Sequence, residues 1–239
     1  MSKYKRIMFK VSGESLMGGK PFGHDMEAIQ KTCEEIVKIR KAGVEVSVVV
    51  GGGNIFRGVS VATELMDRAS ADYMGMLATV MNGIALQAGI EKLGVETRML
   101  SAISINKICE PYIRRRAIRH LEKGRVVIFV AGTGSPYFTT DTASVLRATE
   151  MECDVILKGT QVDGVYDKDP KKFADAVRFD KLSFDEAIRR DLRVMDPTAL
   201  TLARDNNMPI LVFKISEPDA FLNVLDGKGK FTLLSKDGK

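Results

Sequence analysis

The sequence predicts an α/β fold, a three-layer α-β-α sandwich around a mainly parallel central sheet. Three observations carry that expectation. Short apolar runs such as 46–50 and 126–130 have the length and continuity of strands buried on both faces. They alternate along the chain with amphipathic stretches of helical period, the pattern of parallel strands joined by crossover helices. Several runs end in glycine-rich loops. Right-handed crossovers gather such exits at one sheet edge, where open α/β sheets bind ligands.

Residues 5–11 read as the first strand, followed by Ser12-Gly13-Glu14-Ser15. Residues 25–42 read as a helix. Met26, Ile29, Cys33, Ile36 and Val37 share one face, lysines and glutamates the other, and Gly43 is placed to stop it. A strand at 46–50 runs into Gly51-Gly52-Gly53-Asn54. Residues 70–93 make a long helix ending at Gly94. Its charge-free centre, 73–90, is interrupted by Gly75, Thr79, Asn82, Gly83, Gln87 and Gly89, too polar for a membrane span. Burial between layers or between subunits is expected instead, and a subunit interface is the preferred reading.

A strand at 95–100 precedes a helix at 111–123, which carries proline at its first position and Gly124 behind it. The strand at 126–130 breaks at Ala131-Gly132-Thr133-Gly134-Ser135-Pro136, whose glycines and proline leave backbone N–H groups free to face an anion. Thr139, Thr140 and Asp141 then open a helix ending near Glu152. Strand, loop and helix N-terminus together suit a phosphate, although an ordinary strand-to-helix turn has the same outline. A strand at 154–157 leads into a turn-rich segment at 158–170. Beyond it lie a short strand within 177–182, helices at 183–190 and 197–206, a strand at 209–213, a helix at 218–225 and a strand at 231–234. Asp196 is placed to cap the helix at 197–206. A single domain over 1–239 is expected, with a soft boundary near Leu157 separating lobes 1–157 and 158–239.

The net charge of +5 and pI near 9.0 favour an anionic partner, either a nucleotide, a nucleic acid or a phosphorylated metabolite. Cys33, Cys109 and Cys153 are odd in number and far apart, and His24 and His120 are the only histidines. A structural zinc site is therefore not expected, and reduced, buried thiols fit a cytoplasmic protein. The N-terminus lacks the long apolar region of a signal peptide. Arg114, Arg115, Arg116 and Arg119 read as a solvated helix face, because no interleaved aromatics suggest nucleic acid. His24 and His120 read as structural or exposed.

Four strand exits converge: Lys10-Val11-Ser12-Gly13, Gly51-Gly52-Gly53-Asn54 with Arg57 beyond, Gly132 to Asp141, and Lys158-Gly159-Thr160. Glycine backbone, two lysines, an arginine and a carboxylate are equipment for phosphate chemistry. Taken alone, Lys10 could simply snorkel from a strand end, Asp141 could be a plain cap, and Asp163-Gly164 only a turn. The P-loop pattern fails, since position 19 is glycine and Lys20 precedes Pro21. The dinucleotide pattern fails at Phe56 and Tyr137.

The motifs KVSGE at 10–14, GGGNIFRG at 51–58, DYMGMLATVMNG at 72–83, GTGSPYFTTD at 132–141, VDGVYDKDP at 162–170 and VMDPTALTLARD at 194–205 span nearly the whole chain. In this order they resemble the amino acid kinase family, and DYMGMLATVMNG resembles its bacterial uridylate kinase branch. The resemblance implies transfer of the ATP γ-phosphoryl group to UMP in pyrimidine nucleotide biosynthesis. It also implies Mg²⁺ carried with ATP rather than on a protein site, and a homo-oligomer, a hexamer by likeness. It assigns Lys10, Val11, Ser12, Gly13, Gly53 and Arg57 to the ATP phosphates, and Thr160, Tyr166 and Asp169 to the ATP base and ribose. Gly52, Asp72 and Thr133, Gly134, Ser135, Pro136, Tyr137, Phe138, Thr139 and Thr140 are assigned to UMP. Lys158 would neutralise the moving phosphoryl group, with Lys10 and Arg57 in support, while Asp141, and with it Asp196, would orient the lysines.

Gly18, Gly19, Lys20, Pro21, Phe22 and Gly23 resemble the family's GTP-response segment, and UTP inhibition is implied by likeness. Pro21 and His24 depart from the family pattern there, and Ser135 and Tyr137 depart in the acceptor loop. A kinase of the same fold acting on carbamate or an amino-acid carboxylate is one alternative, and a nucleotide-binding protein without turnover is another.

Overall fold

The computed structural model describes residues 3–56, 66–215 and 219–238. Among them, nine strands form one sheet. The central strand β1 (Arg6–Val11) lies between β2 (Glu45–Val50) and β6 (Val155–Thr160), parallel to both. Beyond β2 come β5 (Val126–Val130), β3 (Thr97–Ser101) and the edge strand β4 (Glu110–Pro111). Beyond β6 come β10 (Ile210–Lys214), β11 (Phe231–Ser235) and β9 (Lys181–Ser183). Only the β10–β11 pairing in this sheet is antiparallel. A separate hairpin pairs β7 (Val165–Tyr166) with β8 (Arg178–Phe179). The expected mainly parallel sheet is therefore present, and the exits of β1, β2, β5 and β6 share one edge.

Helices cover both faces. α1 (Met26–Lys41), α2 (Arg68–Lys92) and α7 (Ala220–Leu225) pack on one core, with Ile29, Cys33, Leu86, Ile90 and Phe221 against Ile7, Phe9, Val46 and Leu157. α3 (Arg114–Glu122), α4 (Thr140–Glu150), α5 (Phe184–Arg189) and α6 (Pro197–Asp205) pack on the other, with Leu121, Val145, Ala187 and Leu200 against Met8, Val127 and Ile156. Strand periodicity places the chemistry. Ile7, Phe9 and Val11 face α1, so Met8 and Lys10 face α4. In β6, Val155 and Leu157 face α1, so Ile156 and Lys158 also face α4.

Several expected boundaries move. Glu110 and Pro111 form the edge strand rather than a helix start, and α3 begins at Arg114. An edge strand tolerates the proline's missing donor, while the next residue, Tyr112, donates its N–H to Ser101 O at 2.9 Å. β6 runs to Thr160 because β10 pairs alongside it through Lys214, so Lys158, Gly159 and Thr160 lie in the strand and not in its exit loop. α2 starts at Arg68, capped by Asp67. α7 starts at Ala220, and Pro218 lies outside the described residues. By length and composition α2 could cross a membrane, yet 44% of its apolar window is buried in the fold.

Candidate active site

Lys10 and Lys158 sit opposite one another in the β1–β6 register. α4 places Asp141 in its first turn directly over them. Lys158 Nζ donates to Asp141 Oδ2 at 2.9 Å and also to the Val194 carbonyl. Lys10 Nζ contacts Oδ1 at 2.8 Å as an ion pair. Burial by itself raises the Asp141 carboxyl pKa, but the two ammonium groups outweigh it and hold the value down to about 2. Burial lowers the Lys158 pKa, with the neighbouring Lys10 charge adding to that and Asp141 opposing it. Two cations share one anion, so the cluster keeps a net positive charge at the strand edge.

The helix start is tied down by threonines. Thr139 Oγ1 accepts from the N–H groups of Asp141 and Thr142 at 3.0 and 3.4 Å. It donates to Asp196 Oδ2 at 2.5 Å, and Thr142 Oγ1 donates to Asp196 Oδ1 at 3.1 Å. Asp196 also caps α6 by accepting from Ala199 N at 2.9 Å. Asp196 thus serves two helix starts. Its charge also acts on Lys158.

Glycine is required where the loops meet. A Cβ on Gly13 would lie 2.6 Å from Asn54 Oδ1 and 2.7 Å from Gly53 N, so the exits of β1 and β2 touch through bare backbone. A Cβ on Gly52 would lie 2.8 Å from Gly75 O, which seats that loop against α2. Val11 is buried and contributes its carbonyl, which accepts from Gly51 N at 2.9 Å. Ser12 caps the short 3₁₀ turn Gly13–Leu16. Arg57 lies outside the described residues.

A cleft of about 220 Å³ is bounded by Gly52, Gly53, Asp72, Thr133, Phe138 and Thr140, the last adjacent in sequence to Asp141. Asp72 accepts from Arg68 Nε at 2.9 Å and from Tyr137 N at 2.8 Å. The second bond fastens the loop where Tyr137 adopts φ 72°, a strained left-handed conformation for a bulky residue. Gly132 and Thr139 also border this cleft, whereas Gly134, Ser135, Pro136 and Tyr137 form the loop tip outside its wall. A second cleft of about 560 Å³ is bounded by Lys158, Thr160, Tyr166, Asp169, Arg190 and Arg193. Tyr166 OH donates to Asp163 Oδ1 at 2.5 Å, which fixes the ring as a wall. Thr160 Oγ1 donates to Val162 O at 2.7 Å, and Asp169 Oδ1 accepts from Lys171 N at 2.9 Å.

Gly18 to Gly23 lie away from both clefts, joined to the site through Gly23 and His24. Sequence reasoning missed Arg68, Asp163 as the partner of Tyr166, and the buried pair Asn54 and Asn82. The four-residue spacing from Arg68 to Asp72 on one helix was a usable signal. No local pattern announces the long-range asparagine pair.

Parallel strand exits, phosphate-suited loops and a shared-carboxylate lysine pair define a phosphotransferase scaffold. Residues 5–214 match the model of the amino acid kinase family, and the chain belongs to that family. A uridylate kinase of Paramagnetospirillum magneticum is 57% identical over 236 residues, covering 99% of this chain and 98% of its own. A uridylate kinase of Wolbachia pipientis wMel is 58% identical over 233 residues, 98% of this chain and 94% of its own. The crystal structure of UMP kinase from Bacillus anthracis superposes with a TM-score of 0.94 at 40% identity, covering 98% of this chain and 97% of that one. UMP kinase from Ureaplasma parvum superposes at 0.92 with 45% identity, covering 98% and 100%.

Proposed function

We propose that the protein transfers the γ-phosphoryl group of ATP to UMP, giving ADP and UDP. The observation that carries this reading is the Lys10–Asp141–Lys158 bridge, in which both lysines share one carboxylate. Thr140 borders the smaller cleft, and Lys158, bound to the adjacent Asp141, borders the larger. UMP occupies the smaller cleft, its sugar toward Asp72 and its phosphate toward Gly52 and the loop 133–140. ATP occupies the larger, its base and ribose toward Thr160, Tyr166 and Asp169, its phosphates toward Lys10, Ser12, Gly13 and Gly53. The lobes 1–157 and 158–239 then serve mainly the acceptor and ATP respectively, with the chain's central strands shared.

The chemistry needs no side-chain base. The acceptor is a phosphate monoester with a second pKa of about 6, so near pH 7 it is mostly a dianion. One of its oxygens attacks the γ-phosphorus in line. That O–P bond forms as the bond to the β-bridging oxygen breaks, and the electron pair leaves on ADP. The barrier is the approach of two anions, which Lys10 and Lys158 lower by meeting the transferring and leaving oxygens. Asp141 holds the two lysine side chains in place. Both its oxygens are committed to lysines, a donor set that suits Mg²⁺ held by nucleotide phosphates. The ion would share the charge on the β- and γ-oxygens when bound.

α2 supports a homo-oligomer, by likeness a hexamer. Tyr73, Met74, Leu77, Met81 and Ile84 line its outer side, each 41–52% exposed. UTP inhibition and GTP response through residues 18–23 belong to the same reading. Steady-state kinetics with ATP and a panel of UMP, CMP, dUMP, carbamate and amino acids, following ADP release, tests the proposal. UMP is expected to be the preferred acceptor. Preference for a carboxylate or carbamate, or tight ATP binding with no turnover, would overturn it.

A further inference from the structure

The exit loop of β2 is held by an amide hub that the phosphate chemistry does not use. Asn82, on α2, is 0% exposed, and Asn54, closing the Gly51–Gly53 loop, is 2% exposed. Asn82 Nδ2 donates to Gly51 O at 2.6 Å and to Asn54 Oδ1 at 2.7 Å. Asn54 Nδ2 donates to Gly23 O at 2.9 Å and to Asn82 Oδ1 at 3.1 Å. Gly23 N–H returns a bond to Asn54 O at 2.7 Å. The last acceptor site, on Asn82 Oδ1, is filled by His24 Nε2 at 2.6 Å.

Chemistry fixes the direction of every bond in this hub. Gly51 O and Gly23 O can only accept, so both amide nitrogens must face them. Asn82 Oδ1 is then forced toward His24, and the imidazole must carry its proton on Nε2. With His24 in place the Asn82 amide uses two donors and two acceptor sites. Without it, one lone pair of a fully buried carbonyl loses its partner, an unfavourable loss in a low-dielectric site. Asn82 would then be held against Gly51 O by one anchor fewer. The same loop touches Gly13 through Asn54 Oδ1, so a shift at Asn82 reaches both glycine exits.

We infer that His24 is a positioning residue for phosphoryl transfer. It acts through Asn82 to hold the Gly51–Asn54 loop in its place beside the nucleotide clefts. The inference rests on the assignment of that loop to ATP and UMP made above. His24 touches neither nucleotide cleft, and its influence runs only through the amide.

The test compares His24→Leu with His24→Gln in the full-length protein, because glutamine can present an N–H near the position of the imidazole Nε2. His24→Leu is expected to lower kcat about tenfold at saturating ATP and UMP, with its circular dichroism unchanged. His24→Gln is expected to recover most of that loss. A role in packing alone would lower the thermal midpoint and leave turnover per folded molecule untouched, which would overturn the inference. A second measurement does not depend on either variant folding. Long-range ¹H–¹⁵N spectra of the unaltered protein, with two histidines to assign, should show His24 as the Nε2–H tautomer or the imidazolium. An Nδ1–H tautomer would also overturn it. If the unaltered protein turns over no UMP, the functional reading fails by itself, and the tautomer still decides the hub.

Discussion

Asp141 concentrates the site's electrostatics in one side chain. Its folded pKa of about 2 lies below its ordinary 3.8. The carboxylate is ionised in both folded and unfolded states above that ordinary value, and there its stabilising contribution is complete. As pH falls from about 3.8 toward 2 the unfolded chain takes up the proton first, and the contribution is lost. Its size is on the order of 2 kcal/mol. Urea midpoints between pH 2.5 and 5 should therefore fall more steeply for the native protein than for Asp141→Asn, and parallel slopes would remove the special role of this pair. Neutral pH tests the catalytic side. Lys10→Ala and Lys158→Ala should each cost about 10²–10³ in kcat, the scale of a lost oxyanion donor, with the fold retained. Each leaves Asp141 one lysine partner, whereas Asp141→Ala leaves two buried ammonium groups without their carboxylate and should destabilise more. Wild-type turnover in either lysine variant would take that residue out of the transfer step. Asp72 is different, because it also fastens Tyr137. Asp72→Ala should raise KM for UMP far more than KM for ATP, and equal effects would move it out of the acceptor site.

At the scale of elements, α2 shows what sequence pattern can and cannot say. The absence of charge from 73 to 90 announces a helix that avoids water on most sides. The partition follows only from the fold, with Met76, Val80, Leu86 and Ile90 buried and Leu77 and Met81 half exposed. The outer residues recur at spacings of three and four, a seam suited to a second copy. Leu77→Arg should shift the assembly to a smaller species in light scattering coupled to size exclusion, and an unchanged mass would place the subunit contact elsewhere. The longer strands were legible because each is a short apolar run, and the caps Thr139 and Asp196 were legible because polar side chains precede periodic segments. Pro111 misled because proline serves both helix starts and edge strands, and only the pairing with β3 decides between them. The lysine pair was legible as two strand-end cations on one sheet edge. The His24–Asn82–Asn54 hub was not, since its members are 28 and 58 residues apart in their closest pairings.

For the whole molecule, two separate clefts meet neighbouring parts of one cluster: Lys158 lines the larger, and Thr140, next to Asp141, lines the smaller. β6 belongs to both proposed lobes, paired with β1 on one side and β10 on the other, so one sheet runs through both. Two nucleotides bound in line across Lys10 and Lys158 would present their phosphates to the same cations from opposite ends. A molecule joining adenosine to uridine through five phosphates should therefore fill both clefts at once. Its second half would bind at the high effective concentration set by a short tether. Calorimetry with Mg²⁺ present should show this compound binding at least about 10²-fold more tightly than ATP alone, with most of the gain lost in Lys158→Ala. Equal affinity for the linked compound and for ATP would mean that the two clefts do not face one another across the lysines. In-line transfer between them would then be ruled out, whatever each cleft binds by itself.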